Sequence, residues 1–498
     1  MLAAFAFGAV TSLAYAPLNI FPILWLAFPA LIFLLQGTNN LRAAFAMGWS
    51  FAFGCFTFSL YWIAAAMFVD IAQFWWAVPL ALVGLPIVLA IYYGLAAMLI
   101  RRINLKGLPG ILVFALIWFL ADYVRGHFLT GFPWNLEGYI WGRVLPVLQS
   151  TSVIGIYGLT LLTLIVVSLP ALLADNTKTN RRFVLGSFVM LALMAGWGEW
   201  RLVHATGAVV PNVRLRLVQP NTDQAHKWIE DEREAHFQQL LEFTSAPAEK
   251  PVTHVIWPET AATYYLTEDA LHRAELGAHV PLGGAVLTGV IRRNLDMMGQ
   301  AHYFNSLIAV DDKARVIAGF DKFHLVPFGE YVPMRKYLPL RTLANLGLDF
   351  TAGDGLHSLR VVGLPPFSPL VCYEAVFPGA VADEKDRPQF IVNVTNDGWY
   401  GHTAGPYQHF GNVKVRAIEE GLPLVRAANT GISGVVDAYG RRVARLGVGA
   451  TGFVDSDLPQ ALPPTLFSRY GEIPLWIGFL TIAAYAYLGF RKHESNSR

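Results

Sequence analysis

The first 200 residues run as apolar stretches separated only by short polar breaks, and this constrains the fold more than any other feature of the chain. Of the 72 charged side chains (37 Lys and Arg, 35 Asp and Glu), 14 lie in residues 1–200 and 58 in residues 201–498. A bilayer with ~30 Å of hydrocarbon needs about 20 apolar residues per helical crossing, whereas soluble domains are about 25% charged. The chain therefore reads as two physical phases in series. Spans are expected at 2–16, 18–36, 43–67, 74–100, 107–123, 146–174 and 183–200, with an eighth, Ile473 to Phe490, near the C-terminus. Residues 2–36 as one helix would be ~52 Å long, so Pro17-Leu18-Asn19 is taken as a break between two spans. Met1 to Ala16 ends in small residues but has no basic leader and further spans follow it, so it reads as a span and not a cleaved signal.

Lysine and arginine in the short loops set the orientation. Ten fall on one side: Arg42, Arg101, Arg102, Lys106, Lys178, Arg181, Arg182, Arg491, Lys492 and Arg498. Four fall on the other: Arg125, Arg143, Arg201 and Arg469. Both termini are then cytoplasmic and residues 202–460 lie outside the cytoplasmic membrane, in the periplasm of a two-membrane bacterium. The expected division is a membrane domain over 1–201, an external domain over 202–460, and an eighth span with a cytoplasmic tail over 461–498. One helix suffices for an anchor, so eight point to a membrane part that shapes a site or handles something dissolved in lipid. The external stretch 124–144 carries Phe128, Phe132, Trp134, Tyr139 and Trp141 and is expected at the membrane interface. A net charge of +2 leaves no basic excess for nucleic acid, which is not an expected partner.

From Val213 the texture becomes short β-rich runs alternating with helical patterns. Residues 213–218, 254–257, 285–291, 306–310, 369–372, 390–394, 424–427 and 434–437 read as strands; Asp223 to Phe243, with Asp223 as cap, and His409 to Glu420 read as helices. The external part is thus an α/β domain with a layered core. Cys55 and Cys372 are the two cysteines, one in a span and one outside, so they do not form a disulfide with each other. A lone thiol in an oxidising compartment is a liability unless it is buried or used, and both readings of Cys372 stand until its neighbours are considered.

Those neighbours are three patterns in order: Ile256-Trp257-Pro258-Glu259-Thr260; Phe320-Asp321-Lys322-Phe323-His324-Leu325-Val326-Pro327-Phe328-Gly329-Glu330-Tyr331-Val332-Pro333; and Leu370-Val371-Cys372-Tyr373-Glu374. Glu259 and Cys372 each end a β-rich run, and strand ends are where α/β folds present reactive groups. Together the three side chains fit nucleophilic acyl transfer. A carboxylate takes the thiol proton, sulfur attacks a carbonyl and an ammonium stabilises the oxyanion. A cysteine titrating near ~8.5 needs a neighbouring cation or base to react as thiolate near neutrality. The backbone N–H of Tyr373 is a natural second oxyanion donor.

These patterns resemble the Glu-Lys-Cys signatures of the nitrilase (carbon-nitrogen hydrolase) superfamily. The long lysine motif, the multi-span first half and the single C-terminal span resemble its integral membrane branch, the apolipoprotein N-acyltransferase family. Gly131-Phe132-Pro133-Trp134, Thr395-Asn396-Asp397-Gly398-Trp399, and Gln408-His409 leading to Arg416 add to the likeness. Phe320 stands where tyrosine is as common. The resemblance implies an αββα sandwich for the α/β domain, with Glu259 as general base, Lys322 as oxyanion stabiliser and Cys372 as nucleophile. It further implies that Glu330 orients the lysine or assists proton transfer, that Glu374 holds the nucleophile loop and that Trp228 lies in a loop near the site. The implied reaction takes an acyl chain from a phospholipid, phosphatidylethanolamine by expectation, onto the α-amine of a diacylglyceryl-cysteine apolipoprotein through a thioester. Membrane lipids are then both solvent and substrate, and a monomer is expected. A membrane-tethered amidase acting on a small soluble compound is the alternative, with a transporter or scaffold as a more distant rival. His324, His402 and His409 show no tight metal-ligand pattern and Gly283-Gly284 no phosphate-loop pattern, so no metal or cofactor is implied. A mobile loop is expected over 333–353, since two bulky lipids must enter in turn.

Overall fold

A computed structural model describes residues 1–337, 342 and 349–496, and the chain divides into two units. Met1–Ala64, Phe74–Ala205 and Thr465–Arg498 form one; Ala65–Gln73 and Thr206–Pro464 form the other. Of the stretch expected as a mobile loop, residues 338–341 and 343–348 lie outside the described residues.

Five described helices are long and apolar enough to cross a membrane: Leu41–Ser59, Ile71–Ile103, Gly107–His127, Thr151–Asp175 and Lys178–Val203, all within the first unit except the first three residues of Ile71–Ile103. Leu2–Ala14, Phe21–Gln36 and Ile473–Gly489 are shorter apolar helices. A Cβ on Gly54 would stand 2.3 Å from the Phe5 carbonyl oxygen, so the helices around these residues meet backbone to backbone. Without a hydrophobic driving force between helices in lipid, such close approach through small residues is how they gain packing energy.

In the aromatic stretch 124–144, Trp134, Tyr139 and Trp141 are buried within the unit, while Phe128 is exposed. Buried Arg125 holds the Phe132–Trp134 part, donating to the carbonyl oxygens of Phe132 (2.6 Å) and Trp134 (2.8 Å) and pairing with Asp122 (2.9 Å). Tyr93 donates to the same Asp122 oxygen at 2.5 Å. One guanidinium thus satisfies backbone groups that lipid cannot.

The second unit is built on two sheets. β1 (Val209–Gln219), β2 (His254–Ile256), β3 (Ala285–Leu295), β4 (Ala301–Asp311), β5 (Val316–Asp321), β6 (Phe367–Val371), β7 (Phe390–Thr395), β8 (Leu424–Ala428), β9 (Ser433–Val436), β10 (Arg442–Leu446) and β11 (Gly452–Pro459) follow in chain order. The first sheet has order β11-β1-β2-β3-β4-β5 and the second β10-β9-β8-β7-β6. β1, β2 and β3 run parallel, as do β6, β7 and β8; these buried parallel runs are the ones alternating apolar residues predict best.

Alternation sorts the side chains into layers. Leu215, Leu217, Leu287 and Leu307 from one sheet meet Phe367, Val392, Val394 and Val425 from the other in a shared core. Val218, Val255, Val286 and Ile308 point to the opposite face, against Phe237, Leu240 and Leu241 of the helix Glu230–Ser245 and Leu276 of Ala270–His279. The helix Gly405–Glu420 borders β8 of the second sheet. The result is a layered α/β unit, two sheets sharing one core with helices against the outer face of the first.

Three strands were absent from the expectation for physical reasons. β5 contains Gly319, β10 is short and mostly exposed with Arg442 and Arg445 breaking any apolar alternation, and β11 carries Asp455 and Asp457. Those aspartates pair with Arg216 and Arg214 of β1, both at 2.8 Å, so β11 is specified by cross-strand charge and not by apolar pattern. The helix expected from Asp223 starts only at Glu230. Asp223 instead accepts the N–H of Ala225 at 2.8 Å, a local turn that competes with helix.

Candidate active site

Glu259 lies three residues beyond the end of β2 in a corner that only a bare neighbour permits. A Cβ on Gly289 of β3 would stand 2.5 Å from both Glu259 Cα and Thr260 N. Thr260 has φ 45°, a strained setting for a β-branched residue. The buried amine of Lys227 holds this corner, donating to the Glu259 carbonyl oxygen (3.2 Å) and to Thr260 Oγ1 (2.8 Å). The Glu259 carboxylate is buried, accepting Asn305 Nδ2 on Oε1 and the Asn396 N–H on Oε2, both at 2.7 Å.

Lys322 follows β5 directly and its own N–H donates to the Asn305 carbonyl at 2.8 Å. Its ammonium sits 2.8 Å from Glu330 Oε2 and 3.8 Å from Glu259 Oε1, with 1% of the side chain exposed. Asn305 Nδ2 also donates to Glu330 Oε1 at 2.9 Å, so one amide ties both carboxylates that flank the lysine. Glu330 in turn accepts the Val326 N–H at 2.8 Å, closing the loop after the lysine.

Cys372 leaves β6 with φ 53° and opens the short 3₁₀ turn Cys372–Val376. A left-handed non-glycine residue costs about 1–2 kcal/mol, and the sharp strand-to-helix bend it makes lifts the thiol off the sheet. Glu374 compensates. Its Oε2 accepts the Val371 N–H at 2.8 Å and its Oε1 those of Phe323 (2.8 Å) and His324 (3.0 Å). One buried carboxylate therefore fixes the nucleophile bend and the lysine strand end together. Tyr373 is buried beside it, its ring 5.0 Å from that of Phe377.

Charge explains how the thiol rests. Burial and the neighbouring Glu259 push Cys372 up to about 12, against the opposing pull of Lys322. Two carboxylates beside one ammonium disfavour a further anion, so the resting sulfur keeps its proton. Burial works against the charge of Lys322, but Glu330 and Glu259 outweigh it and hold the group well above the usual lysine range. Burial lifts Glu374 to about 7 even though Lys322 and its three backbone donors pull it down.

Behind the sulfur lies a second buried ionic group. Asp397 accepts His409 Nδ1 (2.9 Å) and Arg426 (2.9 Å), and despite burial Arg426 and His409 hold it at about 2. Burial and Arg426 push His409 below the usual histidine range. Thr395 Oγ1 links this group to the site, 3.2 Å from Asp397 Oδ1 and 3.3 Å from Cys372 Sγ.

The structure thus brings Glu259, Lys322, Glu330, Cys372, Tyr373 and Glu374 into one neighbourhood. Trp228 sits half-buried in the turn over 224–228, and the residue of that turn that reaches the triad is its neighbour Lys227. Sequence reasoning missed Lys227 and Asn305, and it placed Thr395 in a motif without giving it a role. The available signal was a polar Asn305-Ser306 pair opening the apolar half of β4; Lys227, with Asp223 and Asp231 each four residues away, reads as an ordinary lysine on a charged helix face.

Two sheets with a glutamate, a lysine and a cysteine at their strand ends define the α/β unit as a carbon-nitrogen hydrolase domain, and the profile of that family matches residues 214–462. The profile of the apolipoprotein N-acyltransferase N-terminal domain matches residues 7–169. The apolipoprotein N-acyltransferase of Brucella melitensis is 42% identical over 494 residues, covering 96% of this chain and 92% of its own. That of Rhodopseudomonas palustris is 39% identical, covering 94% and 91%. Among solved structures, an amidase from Nesterenkonia sp. aligns over 55% of this chain and all of its own at 19% identity, TM-score 0.37. The chain belongs to the apolipoprotein N-acyltransferase family.

Proposed function

We propose that the protein N-acylates lipoproteins, taking an acyl chain from a phospholipid such as phosphatidylethanolamine onto Cys372 and passing it to the α-amine of a diacylglyceryl-cysteine. The observation that carries this reading is the buried Lys322 ammonium held between Glu330 and Glu259 beside a thiol on a strained bend, in a chain of which 96% aligns with an apolipoprotein N-acyltransferase. Because the resting sulfur is a thiol, Glu259 removes its proton as the bond to the ester carbonyl forms, so the pocket gains no net charge. The oxyanion that develops on substrate is stabilised by Lys322 and the N–H of Tyr373. Collapse expels a lysophospholipid alkoxide, which recovers the proton from Glu259 and leaves a thioester. The lipoprotein amine then attacks, the C–S bond breaks and the sulfur regains a proton by way of Glu259. In this scheme Glu330 keeps Lys322 aimed, and Glu374 keeps lysine and nucleophile in register.

The membrane half suits substrates whose acyl chains cost about 0.8 kcal/mol per CH₂ to expose to water. The reading includes eight spans, with the three shorter apolar helices completing the five long ones, and a domain division at 1–201, 202–460 and 461–498. It places both termini in the cytoplasm and the α/β domain in the periplasm, following the ten-to-four asymmetry of basic residues, and takes the working unit as a monomer.

The test is to incubate the purified chain with acyl-labelled phospholipid and follow label on the Cys372 peptide. Hydroxylamine-labile label that moves to a lipopeptide amine is expected. Label that Cys372→Ala still acquires and transfers would refute the thioester, and release to water in the presence of lipopeptide would mark an amidase-type hydrolase.

A further inference from the structure

Thr395, the last residue of β7, is fully buried, and its hydroxyl lies between two acceptors of different character. Oγ1 is 3.3 Å from Cys372 Sγ and 3.2 Å from Asp397 Oδ1. A hydroxyl has one proton and two lone pairs, so it donates to one of these atoms at a time. Which one it chooses depends on where the negative charge is. Asp397 is held as a carboxylate by Arg426 and His409, and the resting Cys372 is a neutral thiol. In the resting enzyme the Thr395 proton therefore points to Asp397 and a lone pair faces the sulfur. Once sulfur becomes anionic, a charge-assisted bond to Sγ competes with the bond to Asp397, which retains Arg426 and His409.

We infer that Thr395 is a further catalytic residue, a hydroxyl that turns from Asp397 to Sγ whenever the sulfur carries charge. The inference rests on Cys372 being the nucleophile. It assigns Thr395 to two moments: the approach to the thioester, when the thiol proton leaves for Glu259, and the breakdown of the amine adduct, when the C–S pair returns to sulfur. Thr395 keeps its own proton throughout and only its O–H bond rotates, while the β-branched side chain stays fixed at χ1 by the strand. Asp397 is the positioning residue that receives the hydroxyl between these moments, and Arg426 and His409 prevent it from taking the proton. The other titratable groups that face the thiol are Glu259, Lys322 and Tyr400.

The test measures iodoacetamide alkylation of the Cys372 peptide in the full-length, detergent-solubilised chain between pH 7 and 10, by mass spectrometry that separates it from Cys55. Thr395→Val keeps the volume and removes the hydroxyl; Thr395→Ser keeps the hydroxyl. Loss of one charge-assisted bond lowers the thiolate population about tenfold, partly offset because a more basic sulfur is more nucleophilic. Alkylation of Thr395→Val is then expected at about one third to one tenth of the parent rate at each pH, with Thr395→Ser close to the parent. The turnover number for acyl transfer follows the same order with KM unchanged. A Thr395→Val rate equal to that of the parent, or Thr395→Ser impaired as much as Thr395→Val, overturns the inference. Thr395→Ala supplies the same comparison if the valine variant does not fold. Acyl transfer by Cys372→Ala would instead refute the thioester reading, and the alkylation comparison would still decide whether Thr395 governs the thiol.

Discussion

Two buried ionic clusters in this chain are chemically alike and do opposite things. In the membrane unit, Arg125 and Asp122 are each 1% exposed and directly paired, and Arg125 directs further N–H groups to the carbonyls of Phe132 and Trp134. In the α/β unit, Lys322 is equally buried but touches two carboxylates, and a neutral thiol on a left-handed bend shares the same pocket. In the first cluster the buried Glu137 also faces Asp122, and Arg125 spends its donors on fixed backbone. The second sets two carboxylates and an ammonium around a thiol on a strained bend. Burial of charge therefore does not mark a reactive site; a strained nucleophile within reach of a carboxylate and an ammonium does.

The sharpest way to break this contrast is to remove the reactive groups. Cys372→Ala and Lys322→Met are each expected to lower acyl transfer to a labelled lipopeptide by about 10³-fold or more. Thermal unfolding changes little for Cys372→Ala, whereas Lys322→Met also leaves Glu330 and Glu259 without their buried ammonium and lowers the midpoint. If Arg125→Met causes the same loss of rate without loss of stability, the two clusters are not different in kind. The expected outcome for Arg125→Met is structural: removing one partner of a buried pair costs about 3–5 kcal/mol, read as a large fall in the unfolding midpoint.

Glu374 sharpens the contrast through pH. Its folded value of about 7 exceeds its ordinary value of 4.5, so the fold favours the protonated carboxyl. That contribution is complete below pH 4.5 and is lost as pH rises through about 7, up to ~3 kcal/mol in all. Glu374→Gln removes this titration. Its stability penalty relative to the parent should therefore be smaller at pH 8 than at pH 5, measured by denaturant unfolding, and a penalty independent of pH would contradict the assignment. Because an amide cannot accept all three backbone N–H groups, Glu374→Gln should also lower the turnover number at both pH values. The smallest effect is expected for Lys227→Met, which removes two hydrogen bonds behind Glu259. A fall of about tenfold in turnover number with KM unchanged is expected, and an unchanged turnover number would show that Gly289 and Asn305 hold the corner without it.

Much of the architecture was legible in advance because it follows from short-range patterns. The parallel strands β2, β6, β7 and β8 announce themselves as apolar runs, and Glu259 and Cys372 stand at their ends. What escaped notice shares a different cause. β11 depends on Asp455 and Asp457 meeting arginines about 240 residues earlier. The burial of Trp134 depends on the Arg125 guanidinium at its carbonyl, and that of Trp141 on an indole bond to Thr163, partners that no interfacial propensity of aromatics foretells. Asn305 looks like an ordinary polar residue in a strand until the fold places both carboxylates of the site at its amide.

By itself the sequence determined the two phases, since apolar length and charge density are local sums, and it determined the order and chemical types of Glu259, Lys322 and Cys372. Only the tertiary structure decided that Cys372 rests as a thiol, that Glu374 couples the nucleophile bend to the lysine strand, and that Thr395 reaches the sulfur. Ionisation depends on the whole field of charges within a few ångströms, and here those charges come from segments more than 100 residues apart, such as Glu259 and the N–H of Asn396. A linear pattern names the groups; the balance among them exists only once the chain has brought them together.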